Sequence, residues 1–397
     1  MSLTNNPLLQ DFDEAPFSSI KDEHFKPAFE EAIRLSRKEI DDIATSDEPA
    51  TFTNTIAALD YAGQQLDRIS SIFFNLNSAE TSEAIQKIAQ EVSPLLTAFS
   101  NDITLNEQLF ARIQDIYAQK DSLDLTVEEK TLLDKKYKNF SRNGANLPKD
   151  KKSRLREIDT ALAQLKLSFG ENILAETNSY ELHITDEKDL AGIPDSAKEA
   201  FAAEATSREK EGWIVTLDYP SYIPFMKYAD NRELRKELSL AFGSRAFKNN
   251  EHDNQKNTLE IANLRHERAQ LLGYATHAHF VLEERMAKTP EKVINFLNEL
   301  LEKAKPAAQK EFKQLENFAK ELDNIDRLEK WDGSYYSEKL KKKLFSLDDE
   351  QLKPYFKLEN VIDGVFEIAT RLFGLQFEQV YDVDVYHKEV KTYRVTD

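Results

Sequence analysis

The chain has 397 residues, of which 40% are hydrophobic and 10% aromatic, so it can bury a sizeable core spread over two or three domains. Its formal net charge of −18 argues against general binding to nucleic acids or anionic membrane surfaces. It has no cysteine, which excludes disulfides, cysteine nucleophiles and thiolate metal sites, and no run of about 20 apolar residues that could span a membrane.

Apolar residues recur at helical spacing along most of the chain, and only 10 glycines and 12 prolines interrupt it. The first helix is predicted to begin near Pro27 and the second after Asn54. Ser78 or Thr81 is predicted to cap the third, which Pro94 should bend or end. Further helices are predicted over residues 109–117, 127–140, 151–169, 231–247, 254–272, 277–286, 290–322 and 359–373.

Alternation of apolar and polar residues predicts short strands in three places. Residues 180–184 and 213–217 are expected to pair in a small sheet beside the helices. Residues 377–395 read as one or two further strands, and a short helix or turn is expected over 347–355. Because a sheet needs partner strands and little sequence follows residue 395, we expect an incomplete catalytic domain here. The predicted fold class is mainly α with a small β element.

The sequence contains none of the common motifs for binding nucleotide cofactors. The chain has no G-x-G-x-x-G or phosphate-loop pattern, so dinucleotide and nucleotide chemistry have no support. No G-x-S-x-G is present to recommend a serine hydrolase.

The seven histidines also fail to form a familiar metal motif. A zincin helix needs two histidines four residues apart. The nearest approach is His266-Glu267, where Gln270 stands in the second ligand position, and an amide is a poor zinc ligand. The simpler interpretation is a helix with a surface glutamate and a half-buried histidine. His277 and His279 are two residues apart, which places their rings on different helix faces.

One aromatic cluster stands out as a candidate for substrate contact. Trp331, Asp332, Tyr335 and Tyr336 surround a glycine turn between predicted helices. Tyrosines with an apolar ring and a polar tip often line a cleft. A packed helix–helix junction explains the cluster equally well, so both interpretations stay open.

A series of short stretches runs along nearly the whole chain, at residues 6–9, 16–17, 20–29, 51–56, 93–96, 100–103, 143–147, 176–178, 228–232, 271–274, 286–290, 331–336 and 354–356. Each stretch alone is weak evidence. Together and in this order they resemble the thimet-oligopeptidase-like metallopeptidases, most closely their bacterial peptidyl-dipeptidase branch.

The resemblance implies two mostly helical halves separated by a deep channel that admits short peptides. It implies one zinc ion on an H-E-x-x-H helix with a downstream glutamate as third protein ligand. The helix glutamate would activate the zinc-bound water, and tyrosines would steady the developing oxyanion. The peptidyl-dipeptidase branch releases dipeptides from a free C-terminus.

This sequence departs from the family pattern because it contains no H-E-x-x-H. We therefore assign no catalytic or metal-binding residue in this chain and expect no bound zinc in it. The expected partners are short peptides and a missing catalytic half of the same polypeptide, without which the chain should be inactive. Substrate-channel candidates are Trp331, Asp332, Tyr335 and Tyr336.

The predicted domains are an N-terminal helical domain (1–148), a long-helix channel wall with a small β-hairpin (149–350), and a truncated start of the catalytic domain (351–397). Two alternatives stay open: a non-catalytic helical protein that binds peptides or a partner, and a family member that cuts internal peptide bonds. The polar N-terminus lacks signal-peptide features, so a cytoplasmic location is expected, with the periplasm not excluded.

Overall fold

Helices account for most of the computed structural model, which describes residues 3–397, with Thr4 described by its backbone alone. The described residues contain fifteen α-helices and four short strands, which confirms the mainly α fold. They group into two units that interleave along the chain. The first contains residues up to Ser168, Leu259–Val281 and Phe377–Thr396, and the second contains Phe169–Thr258 and Leu282–Gln376. The three predicted domains remain a prediction.

The first half of the chain forms the long helices that periodicity predicts. In chain order these are α1 (Asp22–Ala44), α2 (Ala58–Tyr61), α3 (Gln64–Ala79), α4 (Glu83–Thr104), α5 (Glu107–Ala118), α6 (Val127–Arg142) and α7 (Lys149–Ser179). A turn of π-helix over Phe52–Ala57 precedes α2.

The boundary predicted at Pro27 and the predicted cap of the third helix are wrong, and the helix does not end at Pro94. Helix α1 begins at Asp22, five residues before Pro27, because acidic residues occupy its first turn and His24 Nδ1 accepts the Lys21 N–H at 3.0 Å. Helix α4 begins after Ser82, whose hydroxyl accepts the Ile85 N–H. It continues through Pro94 to Thr104, since its buried apolar face extends on both sides of the proline and offsets the lost hydrogen bond.

The core of the first unit is built around an aromatic cluster between α1 and α3. Phe73 lies edge-on to Phe25, with ring centroids 4.9 Å apart, and to Phe29, with centroids 5.4 Å apart. All three rings are buried, which fixes how α3 packs on α1.

The second half of the chain begins with a small hairpin-like sheet. Strand β1 (Leu182–Ile184) pairs antiparallel with β2 (Trp213–Val215), placing His183 opposite Ile214, as the alternation predicts. The helices that follow are α8 (Asp195–Ser207), α9 (Tyr219–Tyr228), α10 (Arg232–Gly243), α11 (Gln255–Leu271), α12 (His277–Leu282), α13 (Pro290–Asp323), α14 (Gly333–Phe345) and α15 (Leu358–Phe373).

Helix α9 is absent from the sequence-based assignment. Pro220 and Pro224 are typical of breaks, yet Pro220 occupies the first turn, where its missing N–H costs nothing. The predicted turn over 347–355 is confirmed as two 3₁₀ turns. The two strands predicted near the end of the chain are present as β3 (Gln376–Val380) and β4 (Thr392–Thr396), and they pair with each other in a second two-stranded sheet, a pairing that the sequence did not predict. Among the helices of residues 3–397, none combines the length and hydropathy required to cross a bilayer.

Candidate functional site

The predicted channel residues lie where α14 begins, and Asp332 is the most buried of them. Its carboxylate is 0% exposed and accepts two parallel hydrogen bonds from Arg232 of α10, Nε to Oδ1 at 2.9 Å and Nη2 to Oδ2 at 2.7 Å. The backbone N–H of Glu329 donates to Oδ2 at 2.9 Å. Asp332 therefore joins α10 to the start of α14 by a bidentate, charge-assisted pair.

Arg235 is the second cation of this junction and is only 1% exposed. Its Nη2 donates to Asp332 Oδ1 at 3.2 Å, and its Nη1 donates to the Ala229 carbonyl at 2.7 Å. Its Nε donates to the Trp331 carbonyl at 3.2 Å, and its guanidinium lies 3.9 Å from the centre of the Tyr335 ring. A buried arginine is tolerated here because its donors and its charge are both matched.

The two tyrosines use their hydroxyls to hold carboxylates. Tyr335 donates to Asp230 Oδ1 at 2.7 Å, and Tyr336 donates to Asp323 Oδ2 at 2.9 Å. Burial raises the pKa of both tyrosines, and the neighbouring carboxylates raise it further. Both hydroxyls therefore remain protonated donors across the physiological range.

The ring of Trp331 packs in the core of the second unit, and its indole nitrogen is the polar atom that burial affects. The ring packs against the buried apolar cluster of that unit. Its indole Nε1 is buried and has no hydrogen-bond partner in the described structure. Such an atom costs free energy and commonly indicates a bound water.

A cavity of about 430 Å³ adjoins this junction within the second unit. Tyr335 and Tyr336 form part of its wall, so they lie both in a packed junction and beside open space. A substrate-channel role for these residues remains a prediction. The cavity is lined by Asp230, Arg232, Arg235, Leu322, Asp323, Ile325, Tyr335, Tyr336 and Lys339.

Sequence reasoning missed the basic half of this cluster. Arg232 falls in the stretch 228–232, which carried only the family resemblance, and Arg235 has no sequence signal because charged residues are expected on solvated faces. Asp230 lies in the same stretch as Arg232 and was missed in the same way. In the structure it also forms an ion pair with Lys339 at 3.1 Å.

The carboxylates of the junction have lowered pKa values. Burial alone would raise the pKa of Asp230, but hydrogen bonds from Tyr335 and Lys339 and the charges of Lys339 and Arg235 lower it. At Asp332 burial is likewise outweighed, mainly by the hydrogen bonds from Arg232 and the Glu329 N–H. Both acids are thus held ionised by the fold.

This predicts an acid-sensitive second unit. A carboxyl whose folded pKa lies below its unfolded value of about 3.9 stabilises the fold above about pH 4 and loses that contribution as the pH falls through the folded pKa. Asp230→Asn should therefore flatten the loss of stability between about pH 6 and pH 3. Urea unfolding at both pH values measures this, with the exposed Asp195→Asn as control. Equal acid sensitivity in Asp230→Asn and the parent chain would contradict it.

Gly192 positions Asp230 and gives a second prediction. Its φ is +83°, and a Cβ there would clash with the Tyr228 carbonyl and lie 2.8 Å from Asp230 Oδ1. Gly192→Ala should cost at least about 2 kcal/mol of unfolding free energy. Gly170→Ala is the matched control, because nothing lies within 4 Å of its Cβ position in α7, and should stabilise by about 0.5–1 kcal/mol. Denaturant midpoints that shift equally would argue against the clash.

Comparison with known proteins finds a family match and several similar proteins named as peptidases. Residues 225–397 match peptidase family M3. Oligopeptidase A of Salmonella typhimurium is 38% identical over 396 residues, covering 99% of this chain and 58% of the relative. Oligopeptidase A of Escherichia coli is 37% identical with the same coverage. Dipeptidyl carboxypeptidase of Salmonella typhimurium is 33% identical over 403 residues, covering 100% of this chain and 59% of the relative.

The chain is similar to peptidase family M3 over residues 225–397 and to proteins named as peptidases over 99–100% of its length. The resemblance to the thimet-oligopeptidase-like metallopeptidases is therefore confirmed. The chain spans somewhat more than half the length of the curated relatives it matches.

Family M3 implies a metal, and the residues described here do not fit a zinc site. Across the side chains that the structure describes, no three His, Asp or Glu lie close enough together to hold a metal ion. His266 is exposed, and the Nε2 of Gln270 donates to the Tyr274 carbonyl at 3.2 Å and to the Ala275 carbonyl at 2.7 Å. Gln270 lies at the end of α11, where its side chain binds backbone carbonyls, so His266 and Gln270 do not form a pair of metal ligands.

The expectation of a half-buried histidine is wrong, because His266 is exposed. The expectation of a surface glutamate is confirmed: the Glu267 side chain is 41% exposed, and Arg154 donates hydrogen bonds of 2.7 and 2.9 Å to it.

His277 and His279 also lack the surroundings of a metal site. Burial lowers the pKa of His277, and three nearby cations lower it further, an environment that would repel a metal ion as it repels a proton. The Nδ1 of His279 lies 2.8 Å from the Thr276 hydroxyl. No step of a metal-dependent reaction is therefore assigned to this part of the chain. The cations around His277 are Arg265, Arg268 and Lys166.

Proposed function

We propose that this chain is part of a zinc metallopeptidase that hydrolyses short peptides. The observation that carries the proposal is its relatedness, over 99% of its length, to proteins named Oligopeptidase A. The alternative of a non-catalytic binding protein is not favoured, because the relatives reported above are named as peptidases. A cytoplasmic location remains a prediction from the sequence.

The proposal gives the described residues a structural role in hydrolysis. They supply long helices, the junction of Asp332 with Arg232 and Arg235, and the cavity beside Tyr335 and Tyr336. The zinc ligands and the general base would lie in the portion of the relatives that this chain does not match. The surface that faces the described residues would lie there too. On that basis the chain alone should not cut peptides.

Two modes of cleavage are candidates. The motif series in the sequence favours release of dipeptides from a free C-terminus. The identities favour the second candidate, cleavage of internal bonds, since Oligopeptidase A is 38% identical and Dipeptidyl carboxypeptidase 33%. Both modes require the same peptide chemistry and differ in how the C-terminal carboxylate of the substrate is recognised.

A chimera tests both the zinc-dependent hydrolysis and the mode of cleavage. This chain would replace the matched portion of Oligopeptidase A from Escherichia coli, and hydrolysis of a short peptide would be followed by mass spectrometry with and without a zinc chelator. Chelator-sensitive hydrolysis is expected. Release of a dipeptide that is lost when the substrate C-terminus is amidated would support the first mode, and cleavage indifferent to amidation the second. A folded, zinc-loaded chimera that leaves every short peptide intact would contradict the proposal.

A further inference from the structure

A second cavity of the second unit, with a volume of about 430 Å³, lies where α7, α11 and the loop after α10 meet. All of its lining residues fall within Phe169–Thr258, so it is a feature of that unit alone. Phe169 and Ile173 lie one turn apart on α7 and supply apolar wall. Phe247 of the loop supplies more and is 64% exposed. An open cavity of this size with mostly apolar walls is typical of a small-molecule site.

Asn254, the residue before α11, joins the three segments that surround this cavity. It is 4% exposed, and its Nδ2 donates to the Phe169 carbonyl at 2.9 Å. Its backbone N–H donates to the Ala246 carbonyl at 2.8 Å, and its Oδ1 accepts the Nδ2 of Asn172 at 2.9 Å. These bonds fix α7, the loop and the start of α11 to one another. The cavity is therefore formed before any ligand binds, which lowers the cost of binding.

Arg245 supplies the charge of the cavity wall, and it is half-buried. Its Nε donates to the Phe242 carbonyl at 3.1 Å, and its Nη1 donates to the Thr177 hydroxyl at 3.0 Å. Its guanidinium lies 3.8 Å from the centre of the Phe242 ring. These contacts hold the guanidinium in place, but all are neutral. Within the described part of the chain no carboxylate pairs with it, although the sequence contains 71 Asp and Glu. A fixed cation on an apolar wall favours an anionic group on the ligand.

We propose that this cavity binds a small molecule that has one apolar side chain and one carboxylate. Arg245 would pair with the carboxylate, and the walls formed by Phe169 and Ile173 would receive the apolar part. The C-terminal residue of a peptide has this chemistry, and so does a free apolar carboxylic acid. The inference stands on the cavity and its cation and does not depend on the proposed peptidase function.

Saturation-transfer NMR with the 397-residue chain tests the site. N-acetyl-phenylalanine represents the C-terminal residue of a peptide, and 3-phenylpropionate represents a free acid. At least one should bind with a Kd of about 1 mM, an affinity suited to molecules of this size. The tighter of the two identifies the source of the natural ligand. Its carboxamide should bind at least tenfold more weakly, because it brings no charge to Arg245.

Two variants show whether the ligand occupies this cavity. Arg245→Gln removes the cation, and Thr258→Glu places a competing carboxylate on the cavity wall at an exposed position. Each should raise the Kd at least tenfold. Arg327→Gln is the control, because its side chain is 83% exposed and lies outside the cavity lining. It should leave the Kd unchanged.

Circular dichroism melts separate lost binding from lost folding. Thr258→Glu replaces an exposed side chain and should melt within a few degrees of the parent chain, so it tests the site even where Arg245→Gln is unstable. Absence of saturation transfer to both acids at about 10 mM would overturn the proposal, and so would a carboxamide that binds as well as its acid. Binding that neither variant weakens would also overturn it, because the ligand would then lie elsewhere.

Discussion

Asp332→Asn should destabilise the second unit by about 3–5 kcal/mol, because it removes one partner of a buried ion pair. The amide keeps the shape of the carboxylate but leaves the nearly inaccessible Arg235 without a counter-charge. It also converts the bidentate contact with Arg232 into a weaker, partly mismatched one. The loss should therefore be far larger than that of a single neutral hydrogen bond, which contributes about 1 kcal/mol.

Tryptophan fluorescence measures this change directly. The chain has two tryptophans, Trp213 and Trp331, and both lie in the second unit, so urea unfolding followed by their emission reports on it. Glu233→Gln is the matched control on α10: its pair with Lys236 is 3.7 Å long and solvent-exposed, and its loss should cost less than about 0.5 kcal/mol. An Asp332→Asn variant as stable as Glu233→Gln would show that the junction does not hold the unit together.

Phe73→Ala should destabilise the first unit by about 3–5 kcal/mol. Phe73 is fully buried and contacts Phe25, Phe29 and Phe74 edge-on, so truncation leaves a cavity between α1 and α3 and removes three aromatic contacts. Because the rings of Phe25 and Phe29 are held by their own helix, the surrounding structure can collapse only partly into the cavity.

Far-UV circular dichroism in urea is the suitable probe, since no tryptophan lies in the first unit. Tyr61→Ala on α2 removes an aromatic side chain of similar size that is 71% exposed, and it should change the unfolding free energy by less than about 0.5 kcal/mol. Phe73→Leu should lower the unfolding free energy by an amount between those of Phe73→Ala and Tyr61→Ala. Similar midpoints for Phe73→Ala and Tyr61→Ala would contradict the assignment of this cluster as the centre of the unit.

Local pattern predicts the helices and the small sheets well, because periodicity of 3.6 or 2 records which face of an element is buried. The pairing of β1 with β2 follows from alternation on both sides of the intervening helix. Proline was a poor guide to boundaries: α4 continues through Pro94 because burial on both sides outweighs one missing hydrogen bond.

The cluster around Asp332 could be predicted only in part. The aromatic and acidic residues form a visible sequence cluster, but Arg232 and Arg235 lie about a hundred positions away, and no periodicity links them to it. A buried arginine is also contrary to the expectation that charges face water. The sequence left a cleft and a packed junction equally open, and the structure shows the tyrosines donating to carboxylates beside a cavity.

Zinc content and peptide hydrolysis of the purified 397-residue chain test the central claim most directly. After incubation with zinc and gel filtration, elemental analysis should find well below one zinc per chain, and mass spectrometry should find short peptides uncut. One tightly bound zinc per chain together with cleavage of those peptides would contradict the account.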